Sequence, residues 1–189
     1  MKVSKETAAA NRAALLSASG TLYRQKGFAS VTIAEVGAAA GLTHGALYGH
    51  FRSKEALLLA TVGSLFDWTA EQVQEAPGVG AFLDLYLSRR HVDNPGAGCP
   101  LAALGDDTAR ADRRVKADFA RGLERLIEAF SELAGTSGGE SSRAATVSAI
   151  AAMVGAVVLA RATGDKKLGA EILETVRAGL ARSVEGHRP

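Results

Sequence analysis

The sequence predicts an all-α protein of about nine helices, a small three-helix head followed by a larger helical body. Three observations predict this. Apolar residues recur at helical spacing along most of the 189 residues, while the period-2 alternation of strands is nearly absent. Capping residues and glycine-containing turns punctuate the periodic stretches. A composition of 47% hydrophobic and 22% charged residues is that of a folded chain able to bury a core without disulfides or metals.

The elements follow in order. Leu15, Ser19, Leu22 and Tyr23 share one face of a first helix over about residues 5–26, which Gly27 ends and Phe28 follows as an apolar anchor. Thr32-Ile33-Ala34-Glu35 forms a capping box for a short helix to about residue 40, and Gly41 stops it. Thr43 caps a third helix near 44–50. Ser53 caps a fourth, which runs to about residue 75 before Pro77 and Gly78.

The body reads as helices near 79–91, 100–110 and 112–134, then 141–163 and 166–184. Loops fall at 94–98 and 135–139. Phe82, Leu85 and Tyr86 anchor the first of these helices. Val115, Phe119, Leu123, Leu126, Ile127 and Phe130 form a stripe on the third. No internal repeat is evident.

Charge is divided unevenly. Residues 1–54 hold seven basic side chains (Lys2, Lys5, Arg12, Arg24, Lys26, Arg52, Lys54) against Glu6 and Glu35, a net +5. The remainder holds 15 basic and 18 acidic residues, a net −3. A basic head on an acidic body fits a polyanion partner for the head alone. Arg12 and Arg24 read as generic surface charges within it.

The single cysteine, Cys99, cannot form an internal disulfide, which points to a reducing cytoplasm. The polar N-terminus lacks the apolar stretch of a signal peptide. The uncharged run 144–160 reaches the lower limit for a membrane span, but its Ala, Gly, Ser, Thr and Val content predicts a buried helix and no membrane partner. The histidines His44, His50, His91 and His187 have no metal-ligand spacing. There is no Gly-x-Ser-x-Gly and no phosphate-binding glycine loop. An enzyme is therefore not expected, nor a metal or other cofactor.

Residues 33–40, Gly41-Leu42 and 43–50 have the form of a helix-turn-helix. Gly37 and Ala40 are small enough for close packing. Val36, Leu42 and Leu47 supply the core between the helices, and Gly41 permits the reversal. The stretch from Thr32 to Leu57, with its Ala-Gly pair, Leu47-Tyr48-x-His50-Phe51 run and Ser53-Lys54-Glu55-x-Leu57 run, resembles the signature of the TetR family of transcriptional regulators. The resemblance covers about residues 10–60.

It implies a DNA-binding domain over 1–53 and a ligand-binding and dimerisation domain over 54–189. It also implies that Thr32, Tyr48, His50 and Lys54 hold backbone phosphates of a double-stranded operator, as their donors allow. Base reading would fall to Thr43, His44, Gly45 and Ala46 at the start of the third helix. Tyr48 is alternatively a core aromatic, and His50 equally suits orienting the fourth helix. Gly49 departs from the larger polar or basic residue usual in the family.

For the body, the resemblance implies a homodimer on a pseudo-palindrome that releases DNA when a small effector binds and the fourth helix shifts. The candidate interface is Val147, Ala151, Val154, Gly155 and Val158 with Ile172, Val176 and Leu180, faces that could instead close the monomer's own core. The candidate pocket, between the fourth helix and 79–134, is Phe66, Phe82, Tyr86, Cys99 and Phe119, with Trp68, Phe130 and Met153 nearby. Aromatic stripes of this kind also build ordinary cores. Cys99 is either a small buried residue or a reactive thiol at a helix start, and the latter makes a redox- or electrophile-sensing repressor the alternative function.

Overall fold

The protein is described by a computed structural model covering residues 4–135 and 140–185. Its described elements are ten α-helices and one 3-10 turn. The head holds α1 (Lys5–Ser30), α2 (Ile33–Ala39) and α3 (His44–His50). The long α4 (Lys54–Gln74) leads into α5 (Val79–Tyr86), α6 (Arg89–Asp93), the 3-10 turn Pro95–Ala97, α7 (Pro100–Ala109) and α8 (Arg113–Leu133). α9 (Glu140–Ala162) and α10 (Lys166–Glu185) close the chain.

Local chemistry sets the boundaries in the head. Gly27 sits at φ 78°, ψ 168°, in a region essentially reserved for glycine, and breaks α1 there before one last turn. The Thr32–Glu35 capping box is complete in both directions. Gly41 takes φ 67°. The hydroxyls of Thr43 and Ser53 accept the amides of Ala46 and Ala56 at 3.3 and 3.0 Å.

The helix predicted over 79–91 is two helices. The Ser88 hydroxyl accepts the His91 amide at 3.2 Å and starts α6 afresh, so the chain turns after Leu87. The helix count is therefore ten among the described residues, one above the expected number, and the all-α class stands.

Two apolar clusters hold the molecule together. One joins head to body: Leu15, Tyr23, Val36, Leu47 and Phe51 pack in the same cluster as Leu57 and Phe66 of α4, Leu104 of α7 and Leu126 of α8. The α1–α4 seam is close. The hydroxyls of Ser19 and Thr61, both fully buried, meet at 2.7 Å, and a Cβ on Gly20 would lie 2.9 Å from Leu65. The second cluster centres on Phe82, Tyr86, Phe130, Ile150, Met153 and Leu173.

By length and composition, Ser142–Ala162 could cross a membrane. One face of α9 packs into the second cluster through Ile150, Met153, Ala156, Val157 and Ala160. The other face exposes Val147, Ala151, Val158 and Leu159 and carries no charge between Arg143 and Arg161.

Candidate nucleic-acid interface

The helix-turn-helix stands as its residues predict. A Cβ on Gly37 would lie 3.3 Å from the Leu42 carbonyl oxygen, so only a small residue lets the turn approach α2. Val36 and Leu47 are fully buried and Leu42 half-buried between the helices. This inner packing leaves the start of α3 facing outward. Thr43 and Gly45 are exposed and Ala46 is half-buried, while His44 opens the helix with a side chain outside the described residues. Added Cβ atoms at Gly45 and Gly49 would touch nothing within 4 Å, so this surface can approach a groove closely.

Tyr48 is 43% exposed, which sets aside the core alternative for this ring. Phe51 is 4% exposed and buried in the head cluster. His50 is half-buried at the last turn of α3. The half-buried Lys54 reaches from α4 to the Ala29 carbonyl at 3.4 Å, beside the α1–α2 connection.

Thr32 differs from the expected free donor. Its amide and hydroxyl both donate to the Glu35 carboxylate, at 2.9 and 3.0 Å, and its oxygen accepts the Glu35 amide at 3.2 Å. These bonds and the Lys26 ammonium at 3.0 Å hold the Glu35 carboxyl at a pKa of about 2. The Thr32 side chain is thus occupied with starting α2.

The basic residues of the head divide accordingly. Lys26 is paired with Glu35. Arg24 is not a surface charge: its guanidinium lies 5.7 Å from the Trp68 ring centroid and donates to the Gly98 carbonyl at 3.1 Å, and burial lowers its pKa. Arg12 is exposed and sits 5.2 Å over the Phe51 ring, which fixes a cation beside the end of α3. Lys5 and Arg52 are exposed as well.

The sequence profile of the tetR family of bacterial regulatory proteins matches residues 15–61, the segment containing this motif. A TetR transcriptional regulator from Chloroflexus aurantiacus has the same fold over 95% of this chain and 96% of its own, with a TM-score of 0.72 and 26% identity. Residues 15–61 thus carry the TetR-family DNA-binding module, and the chain as a whole has the TetR-family fold. Among curated relatives, the HTH-type transcriptional regulator CymR of Pseudomonas putida is 41% identical over 70 residues, covering 37% of this chain and 32% of CymR. The chain spans a third or less of the length of the curated relatives it matches. The reduced form of Escherichia coli NemR shares the fold with a TM-score of 0.74 at 21% identity, over 90% of this chain and 94% of NemR.

In the body, most of the aromatic residues expected to line a pocket are buried and packed on one another. Phe66 is fully buried and meets Phe119 edge to face at 5.0 Å. Phe82 meets Phe130 in the same way at 4.8 Å, and Tyr86 packs on His91 at 4.6 Å. Met153 is also buried, while Trp68 is 42% exposed under Arg24.

An apolar cavity of about 270 Å³ lies elsewhere, between α7, α8 and α9. Its walls include Leu101 and Gly105, then Phe119, Leu123 and Ile127, then Val147, Ile150, Ala151 and Val154. Only Phe119 of the five expected pocket residues lines it. Val147, Ala151 and Val154, expected at an interface, line it too. Ile172, Val176 and Leu180 are half-buried against the second cluster, and Gly155 and Val158 lie on the uncharged outer face of α9. Leu159 and Leu168, 55% and 43% exposed, extend that apolar face.

Cys99 is buried among polar groups. The His91 Nδ1–H donates to the Tyr86 carbonyl at 2.8 Å, since that oxygen can only accept, and Nε2 accepts the Cys99 amide at 3.0 Å. His91 is therefore neutral, and burial lowers its pKa. Arg161 donates to the carbonyls of His91 and Val92 at 2.8 and 3.1 Å. The Tyr86 hydroxyl has no oxygen or nitrogen partner and turns to the Cys99 thiol. Burial pushes that thiol's pKa up despite the hydroxyl and the first amides of α7.

Proposed function

We propose that the protein is a cytoplasmic transcriptional repressor that binds a pseudo-palindromic operator as a homodimer and releases it when a small molecule enters the body. The observation that carries this reading is the unobstructed start of α3, where Thr43, Gly45 and Ala46 face outward beside an exposed Tyr48. Such a surface suits insertion into a major groove, with Thr43, His44 and Ala46 against base edges. Tyr48, His50 and Lys54 flank it as phosphate donors, and Thr32 fixes α2 between them. Lys5, Arg12 and Arg52 add positive charge.

One helix-turn-helix reads too few base pairs for selectivity, and a two-fold partner doubles the site. The uncharged outer face of α9, continued by Leu168, is the surface a partner would cover. A Cβ on Gly155 would touch nothing within 4 Å, which leaves room there for a neighbouring helix to come close.

The test is selection of bound duplexes from random DNA with the purified chain, followed by a shift assay at several salt concentrations. The expected result is an enriched pseudo-palindrome with half-sites about 34–36 Å apart, bound by a dimer. Recovery of no enriched sequence would refute operator recognition.

A thiol-sensing repressor is the second reading. The hydroxyl of Tyr86 and the α7 amides around Cys99 favour it, because they would stabilise negative charge on sulfur. Burial acts more strongly and keeps the thiol protonated at neutral pH, so release by a bound molecule stands first.

A further inference from the structure

We infer that the cavity between α7, α8 and α9 is a binding site for a small, neutral, apolar molecule. The inference rests on the release reading above and names the chemistry of the molecule that would act.

The walls decide the class. Leu101, Phe119, Leu123, Ile127 and Ile150 present only hydrocarbon, and none of the lining side chains has a hydrogen-bonding group or a charge. An ionised or strongly polar ligand would lose its water there and gain no partner. An apolar molecule meets matching surface on three helices and removes that surface from water.

The volume decides the size. At the packing density of protein interiors, 270 Å³ accommodates roughly ten to twelve heavy atoms, about that of a bicyclic ring. It is too small for a segment of a partner chain. One helical turn, about 10 Å across and 5.4 Å long, fills roughly 420 Å³. The volume therefore suits a small molecule better than a helix of a partner chain.

Gly105 provides the means of testing this. It lines the cavity on α7, and a Cβ there would touch nothing within 4 Å. A leucine at 105 would occupy the space without disturbing the backbone, and it suits a helix better than glycine does.

The experiment titrates the full chain into naphthalene, read by naphthalene fluorescence, with 2-naphthoate as the ionised counterpart of similar shape. Saturable naphthalene binding is expected, with 2-naphthoate at least about tenfold weaker. Gly105→Leu is expected to weaken naphthalene binding by at least about tenfold while its melting temperature stays at or above that of the parent. Equal or tighter binding of 2-naphthoate would overturn the class. Unchanged naphthalene binding by a folded Gly105→Leu chain would overturn the site. A shift assay on the selected operator separates the two readings: naphthalene that binds in the cavity yet leaves the operator occupied supports the site and refutes release through it.

Discussion

Replacing Gly122 with alanine probes the seam between α4 and α8, the most extensive helix pairing in the fold. The new Cβ would stand 2.2 Å from Cγ of Phe66, where ordinary contact begins near 3.4 Å. Ring or helix must move by about 1.2 Å, the difference of those distances. Phe66 has nowhere to go, because it is fully buried and packed edge to face on Phe119 at 5.0 Å. Overpacking of this kind costs about 1–3 kcal/mol, and alanine recovers about 1 kcal/mol of helix propensity. The expected net loss of about 1 kcal/mol lowers the melting temperature by about 2–4 °C in a chain of this size. Gly63→Ala is the control. Gly63 lies in α4 with nothing within 4 Å of an added Cβ, so this variant gains the propensity alone and melts about 2–4 °C higher. Circular dichroism melts of both variants measure the effect. A Gly122→Ala chain that melts at or above the parent would refute the reasoning, as would a Phe66→Leu/Gly122→Ala pair whose losses simply add.

Four further outcomes follow from the geometry. His91 has a lowered pKa in the fold, so the unfolded chain takes up the proton first as pH falls; stability is full above about pH 6.5 and declines below it, and melts from pH 7.5 to 5.5 should show a decline that His91→Gln lacks. Cys99 is buried with a raised pKa, so a thiol reagent should label the native chain far more slowly than the chain in urea; rapid native labelling would restore the sensor reading. Asp107→Ala removes the acceptor of the Phe28 amide, 3.1 Å away, and should cost about 1–3 kcal/mol in urea unfolding. Lys54→Ala should weaken operator binding on all sequences alike and reduce the salt slope by about one, whereas a change confined to one base position would show that Lys54 reads sequence.

The head was legible because its determinants are local. Thr32 with Glu35, Gly41, Thr43 and Ser53 each act within a few residues, and each stands in the structure as its spacing predicts. The body's helices were legible as helices, but their contacts were not. Arg24 meets the Gly98 carbonyl across 74 positions, and Phe28 meets Asp107 across 79. Neither partner carries a signal in the sequence. The cavity between α7, α8 and α9 was not legible for a related reason: bulk at helical spacing reads alike in a core and in a pocket wall, while Gly105 and Ala151 leave open volume without any local signal. The break after Leu87 was hidden because a serine cap, without proline or glycine, starts α6.

The position of α7 gives a shorter route from body to head than α4 alone provides. Leu101 and Gly105, one turn apart, line the cavity. Leu104 and Thr108, also one turn apart, are buried, and Leu104 packs in the cluster that contains Leu15, Tyr23 and Val36 of the head. Between them Asp107 holds the Phe28 amide, just after the break at Gly27. A Cβ on Gly27 would lie 2.8 Å from the same carboxylate, so the close approach requires the residue whose backbone also makes the break. A ten-residue helix with one face on the cavity and the next on the head cannot shift one contact without the other. On the proposed release reading, a shift at Leu101 and Gly105 would reach the end of α1 through Asp107. On this route, Asp107→Ala should uncouple cavity occupancy from DNA release while leaving naphthalene binding intact. Full release by that variant would return the signal to α4.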